Sequence, residues 1–259
     1  MMRFPLRLTA DIIRARLAKK LGFAPDARTI QFLDAVEILH HGSSHPVSHE
    51  RIREINSSRF PVVWIGGTEP LRHAGIAHLV RAIAQTSHFV FLETDGMLLR
   101  RRIHEFQPVS RLFLTVRLEP AAKSHRPNKA QAGAFELAVE GIRAARLSGF
   151  LICVHARVRS ATELGETAEL IQFARSLDVD GIVITPANGG SNSANPDASA
   201  LLRKMEQAQR LIGSRWWESF SRMVEPVLSG HRSAARNMGE SGIRIDHESH
   251  ADEEGVRIA

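Results

Sequence analysis

Six short, nearly continuous apolar runs, each followed by an amphipathic stretch, constrain this chain more than any other feature. The β-rich runs fall at 29–33, 61–65, 88–93, 111–117, 150–157 and 181–185. Helical periodicity falls at 48–56, 75–86, 98–106, 134–148, 162–177 and 198–212. Strands that alternate with helices imply parallel pairing, because each helix carries the chain back across the sheet. Runs such as VVWI, FVFL and GIVIT have no polar alternation, as strands covered on both faces require. Six such units build either a doubly wound sheet or an incomplete barrel, and periodicity alone leaves both open. With 259 residues the chain is long enough to bury either core.

Both architectures bind ligands at the carboxyl ends of the strands. The residues there are Gly66, Gly67, Thr68, Glu69 and Pro70 after the second strand, and Thr94, Asp95 and Gly96 after the third. Glu119 and Pro120 follow the fourth, His155 and Arg157 lie in the fifth, and Thr185, Pro186 and Ala187 close the sixth. Paired glycines allow close backbone approach and expose peptide groups to a ligand. The pattern is neither a dinucleotide fingerprint nor a P-loop. Glu69 reads equally well as the partner of a ligand ammonium and as an acid capping the next turn.

Charge narrows the partners. The 34 basic and 28 acidic residues leave a net charge of +6. The basic residues are dispersed rather than run together, so a solvated surface is expected and nucleic acid is not. At the N-terminus Leu8, Ile12, Ile13, Leu17 and Leu21 recur at helical spacing among Arg14, Arg16, Lys19 and Lys20. This predicts a basic amphipathic helix that packs on the domain or lies on an anionic membrane surface. The chain has one cysteine, Cys153, and no apolar run long enough to span a bilayer. A cytoplasmic location follows, with peripheral membrane contact through that helix as the variant. The expected organisation is an N-terminal helix over 1–28, a (βα)6 domain over 29–190, packing helices over 191–229 and a polar, disordered tail over 230–259.

The wording of the central units adds a family. PVVWIGGTEPLRHAGIAHLVRAI resembles the second strand and loop of the radical S-adenosylmethionine (SAM) superfamily, with Gly67, Glu69, Pro70, Leu71 and His73 in place. Thr68 stands where a second glycine is usual, and Arg72 where a second leucine is. FVFLETDGMLLRRRIHEF resembles the third unit, with Asp95 in an Asn position. RLFLTVRLEP resembles the fourth strand, departing at Arg117, Glu119 and Pro120. GAFELAVEGIRAARLSGFLICVHARV and LDVDGIVITPA resemble the fifth and sixth units. The similarity covers about residues 59–187, and its motifs arrive in order. The central units and the basic N-terminal helix look most like the adenosyl-hopene transferase branch of the hopanoid pathway.

The resemblance implies a partial (βα)6 TIM-like barrel and a SAM site. Gly66, Gly67, Thr68 and Glu69 would hold the amino-acid end. Thr94, Asp95, Arg117 and His155 would line the pocket, with Thr185 and Pro186 near the adenine. In that family a C-x-x-x-C-x-x-C loop after the first strand binds a [4Fe–4S] cluster through thiolates. Here that segment has no cysteine. It reads LHHGSSHPVSHE instead, with His41, His45 and His49 at four-residue spacing. Gly42 and Pro46 break a continuous helix there, so a polar loop is expected before a metal site. Three readings stay open. One is a degenerate, pseudoenzyme-like member that keeps a SAM pocket, lacks the cluster and partners an active homologue. The others are an enzyme with a metal at His41, His45 and His49, and a membrane-surface or scaffold protein. No catalytic residue is assigned.

Overall fold

The computed structural model describes residues 2, 4–23, 29–35, 49–58, 60–120, 129–187 and 196–241. Six parallel strands form one sheet: β1 (Ile30–Asp34), β2 (Val62–Gly66), β3 (Phe89–Thr94), β4 (Leu112–Leu118), β5 (Leu151–Val158) and β6 (Gly181–Pro186). They pair in sequence order, β1 to β6, with every neighbour parallel. The uniform order excludes the doubly wound alternative, in which strand order reverses at a switch point. The helices among the described residues are α1 (Leu6–Lys20), α2 (His49–Ser57), α3 (Ile76–Ala84), α4 (Leu99–Arg102), α5 (Lys129–Leu147), α6 (Leu164–Ser176), α7 (Pro196–Arg210) and α8 (Arg215–Ser241). The helix expected over 98–106 is interrupted: α4 gives way to a 3-10 turn, Ile103–Glu105.

The sheet is curled. Helix α8 packs against both edge strands, β1 and β6. In a flat sheet those edges would lie about 24 Å apart, from the ~4.8 Å strand spacing, and a helix is only about 10 Å across. The expected partial (βα)6 barrel is therefore the fold, with α8 lying across its concave face.

An aromatic floor fills that face. The register sets Trp64, Phe91 and Phe113 side by side on β2, β3 and β4. Their rings stack at 5.3 Å and 4.7 Å, almost parallel. Phe220 of α8 closes on Phe91 at 5.0 Å, and Trp217 meets Phe113 edge-on at 5.9 Å. Trp64, Phe91, Phe113, Trp217 and Phe220 are all fully buried. The edge strand β6 is also covered. Its Ile184 N–H donates to Ser221 Oγ of α8, and its Ile184 carbonyl accepts from Gln209 of α7. Such partners satisfy backbone groups that an edge strand otherwise leaves open.

Helix α1 corrects one expectation. Its apolar residues do not share a face. Leu8 and Ile12 are buried in the core, while Ile13, Leu17 and Leu21 are exposed. At about 100° per residue the two groups point in different directions around the axis.

Gly181 is the tightest point of the α8 contact. A Cβ there would overlap the Trp217 indole. Gly181→Ala is expected to destabilise the protein by about 1–3 kcal/mol or more through overpacking. Urea unfolding of the variant beside the wild type measures it. An unchanged midpoint would mean that α8 does not seat on β6 this tightly.

Candidate functional site

Above the aromatic floor, toward the carboxyl ends of the strands, the concave face turns polar. Glu93 lies two residues beyond Phe91 on β3 and therefore on the same face. The register places Thr115 opposite it on β4, and sets Arg117 beside His155 across β4 and β5. A lone carboxylate in such a core is costly unless paired and hydrogen-bonded. Glu93 has three partners. Trp64 Nε1 donates to its Oε2 at 2.6 Å, His155 Nδ1 lies 3.1 Å from Oε1, and Arg117 Nε lies 3.6 Å from Oε1. Burial pushes the Glu93 carboxyl up. The charge and hydrogen bond of His155, the Arg117 guanidinium and the Trp64 N–H outweigh it and bring it down to about 2. Glu93 is thus an acceptor, so His155 Nδ1 donates to it. The far ring nitrogen, Nε2, lies 2.7 Å from Thr185 Oγ1 on β6.

A second carboxylate sits at the mouth. Gly67 has φ +86°, and a Cβ on it would collide with the Asp34 carboxylate at the end of β1. Only glycine fits this turn beside that strand end. The turn delivers Glu69, which is buried. Its Oε1 accepts from Thr94 Oγ1 at 2.6 Å and from the Leu71 N–H at 3.1 Å, and its Oε2 accepts from the Asp95 N–H at 2.7 Å. Burial raises the Glu69 carboxyl above its ordinary value despite these donors. The capping reading of this acid is the one the structure shows. It caps the Pro70–Arg72 turn, and it faces the mouth, with Arg117 Nη2 at 3.7 Å from Oε2. Arg117 also reaches the Gly67 carbonyl at 3.4 Å. This half-buried guanidinium touches both acids and the glycine turn, all at long range.

Other residues expected at the site have placements and partners of their own. The Asp95 carboxylate accepts from the Met97 N–H, so it closes its own turn. Thr68 is exposed on the loop. Pro186 is buried at the end of β6, opposite Val158. Gly66 is buried at the end of β2, where a Cβ would meet Glu93 at 3.0 Å. His41 and His45 lie outside the described residues, as does the His49 side chain, so the metal expectation stays with the sequence. Glu93, Trp64 and Asp34 are the residues that motif reading missed. The signal for Glu93 was present: a charged residue inside the apolar run FVFLET, in phase with Phe91.

Cys153 faces the same interior, opposite Thr115 and Gly181. It is fully buried, and burial pushes its thiol well above the ordinary value. The thiolate needed to ligate iron is disfavoured there.

No protein-family model matches the chain, and no curated protein does. Solved structures do. Streptococcus suis SuiB bound to S-adenosylmethionine superposes with a TM-score of 0.54 at 16% identity, over 77% of this chain and 48% of that one. SuiB bound to its precursor peptide SuiA gives 0.48 at 14% identity, over 67% and 43%. The tri-modular endo-beta-1,4-glucanase B of Bacillus halodurans gives 0.43 at 11% identity, over 73% and 46%. This chain thus spans about half the length of the SuiB chain. The likeness is one of fold: a partial (βα)6 barrel.

The Glu93 cluster makes a sharp test of these electrostatics. Its folded carboxyl lies below the ordinary 4.5, so its contribution is fully present above that pH and is lost as pH falls toward about 2. Glu93→Gln leaves His155 and Arg117 without their anion and should cost about 3–5 kcal/mol at neutral pH. The gap to wild type should close as unfolding is measured at successively lower pH through that window. A gap that does not change with pH would contradict the ion cluster.

Proposed function

We propose that this chain is a radical-SAM-like protein that has given up cluster chemistry and kept the pocket for S-adenosylmethionine. The observation that carries the reading is the acceptor pair at the mouth. Glu69 Oε2 and the Gly67 carbonyl both lie within 3.7 Å of one guanidinium, that of Arg117. An α-ammonium needs just such a pair of acceptors, and a neighbouring guanidinium suits the α-carboxylate of the same ligand. Because its contacts are long, Arg117 can turn toward that carboxylate without breaking a short bond. The donor set fits the amino-acid end of SAM.

The roles follow from the resemblance. Gly66, Gly67, Thr68 and Glu69 take the amino-acid end. Thr94 and the Asp95 N–H hold Glu69 in place, Arg117 and His155 line the pocket, and Thr185 and Pro186 border the adenine. A [4Fe–4S] cluster does not fit this donor set. The sequence has one cysteine, Cys153, and its thiol is buried inside β5. Such clusters are held by several thiolates. The proposed role is therefore that of a pseudoenzyme, a SAM-responsive partner of an active homologue. The basic N-terminal helix and the central motifs support the adenosyl-hopene transferase branch as its origin.

Anaerobic calorimetric titration with SAM, after attempted iron–sulfur reconstitution, tests this. Binding is expected from colourless protein, and Glu69→Gln should weaken it about tenfold or more, the scale of one lost charge-assisted contact. Burial holds the Glu69 carboxyl above its ordinary range. A proton there competes with a ligand cation, so affinity should fall as pH is lowered from neutrality. A brown, SAM-cleaving protein would overturn the loss of chemistry, and absence of binding would overturn the pocket.

A further inference from the structure

The exposed face of α1 has an occupant written into its charge. Leu6, Ala10, Ile13, Leu17 and Leu21 follow one another at four, three, four and four residues, a narrow apolar stripe along one side of the helix. Leu6 is 86% exposed, Leu17 52%, Leu21 64% and Phe23 80%. The opposite side is anchored: Leu8 and Ile12 are buried, and Phe4 packs on Trp217 and Phe220 of α8. The helix is thus fixed to the domain by one face and presents a second apolar face outward. Residues 1–23 hold six basic side chains, Arg3, Arg7, Arg14, Arg16, Lys19 and Lys20, against one acid, Asp11. That is +5 of the chain's net +6. Asp11 is itself paired with Arg14.

We infer that α1 docks this protein on an anionic lipid surface, with the stripe in the acyl boundary and the basic side chains among the headgroups. Apolar residues flanked by Lys and Arg are what such an interface selects. A second copy fits poorly, because pairing through this face would bring two +5 segments together. Nucleic acid would take the charge but leave the stripe in water. Trp216 extends the patch. It stacks on Phe4 at 6.0 Å and is 46% exposed, while the chain's other two tryptophans, Trp64 and Trp217, are fully buried. Amphipathic aromatics of this kind favour the membrane–water boundary. Docking through α1 uses none of the residues of the SAM site, so it stands or falls separately.

The test is co-sedimentation of the full chain with mixed phosphatidylcholine–phosphatidylglycerol vesicles, against pure phosphatidylcholine vesicles and a vesicle-free control. The wild type should pellet with the mixed vesicles only, less so at high salt, with a blue shift of the Trp216 emission that Trp216→Phe removes. Ile13→Asp with Leu17→Asp should abolish pelleting, and Arg14→Glu with Lys20→Glu should lower it about tenfold or more. Both changes are on exposed positions, so circular dichroism and the unfolding midpoint should stay at wild-type values. Unchanged pelleting of the stripe variant overturns the proposal. So does failure of the wild type to pellet, including the case in which it forms a dimer that Leu17→Asp dissociates.

Discussion

A carboxylate placed where water cannot reach it organises the working end of this barrel. Glu93 rises from the same strand face as Phe91, directly above a stack of aromatic rings. A bare charge there would be intolerable, and each remedy recruits another strand. Trp64 answers from β2 with its indole N–H. His155 answers from β5 and is itself held by Thr185 on β6. Arg117 answers from β4 and reaches on to Gly67 and Glu69. Five strands are thus tied together through one buried acid. Replacing such a network by hydrocarbon is often neutral for stability. What the network adds is a fixed geometry in which the second acid, Glu69, can be held at the mouth.

The two acids are not equivalent, and the difference is physical. Glu93 is met by the His155 ring, the Arg117 guanidinium and the Trp64 N–H, so its ionised form is secured. Glu69 is hydrogen-bonded by one hydroxyl and two backbone amides, with Arg117 only at 3.7 Å, and burial, helped by the nearby Asp95 charge, still pushes its carboxyl up. Glu93 is therefore tied into the scaffold from four strands, whereas Glu69 is held by its own turn and the end of β3. A group whose own protein under-compensates its charge gains most from a ligand cation.

The architecture was largely legible in the sequence because β–α alternation is a period that registers locally. All six strands fall close to the expected spans, and so do the helices between them apart from the interrupted stretch over 98–106. Glu69 was legible because a turn built on Gly67 leaves an acid at a strand end. Glu93 was harder to see, since its meaning depends on which residues other strands set beside it, and register is not written in any one segment. The split of α1 was missed for the opposite reason. Ile12 and Ile13 are neighbours in the chain, and a list of apolar residues at roughly helical spacing merged two faces that differ by about 100°. Asp34 was invisible until the β1–β2 pairing laid it against Gly67.

The cysteine question takes a different form on this scaffold. Iron–sulfur ligation asks for several exposed, readily ionised thiols at one loop, and the chain offers one, in the least ionisable place it has. Binding the amino-acid end of a zwitterion asks only for an acceptor pair and a nearby guanidinium, and these are present. The two demands fall on different loops, one after β1 and the other after β2. Neither demand constrains the other. The β2 loop is further held in place by Glu69's own bonds to Thr94, Asp95 and Leu71, and by Arg102, whose guanidinium accepts no role at the mouth but donates to the Leu71 and His73 carbonyls. A loop secured by this many hydrogen bonds of its own keeps its shape without a ligand.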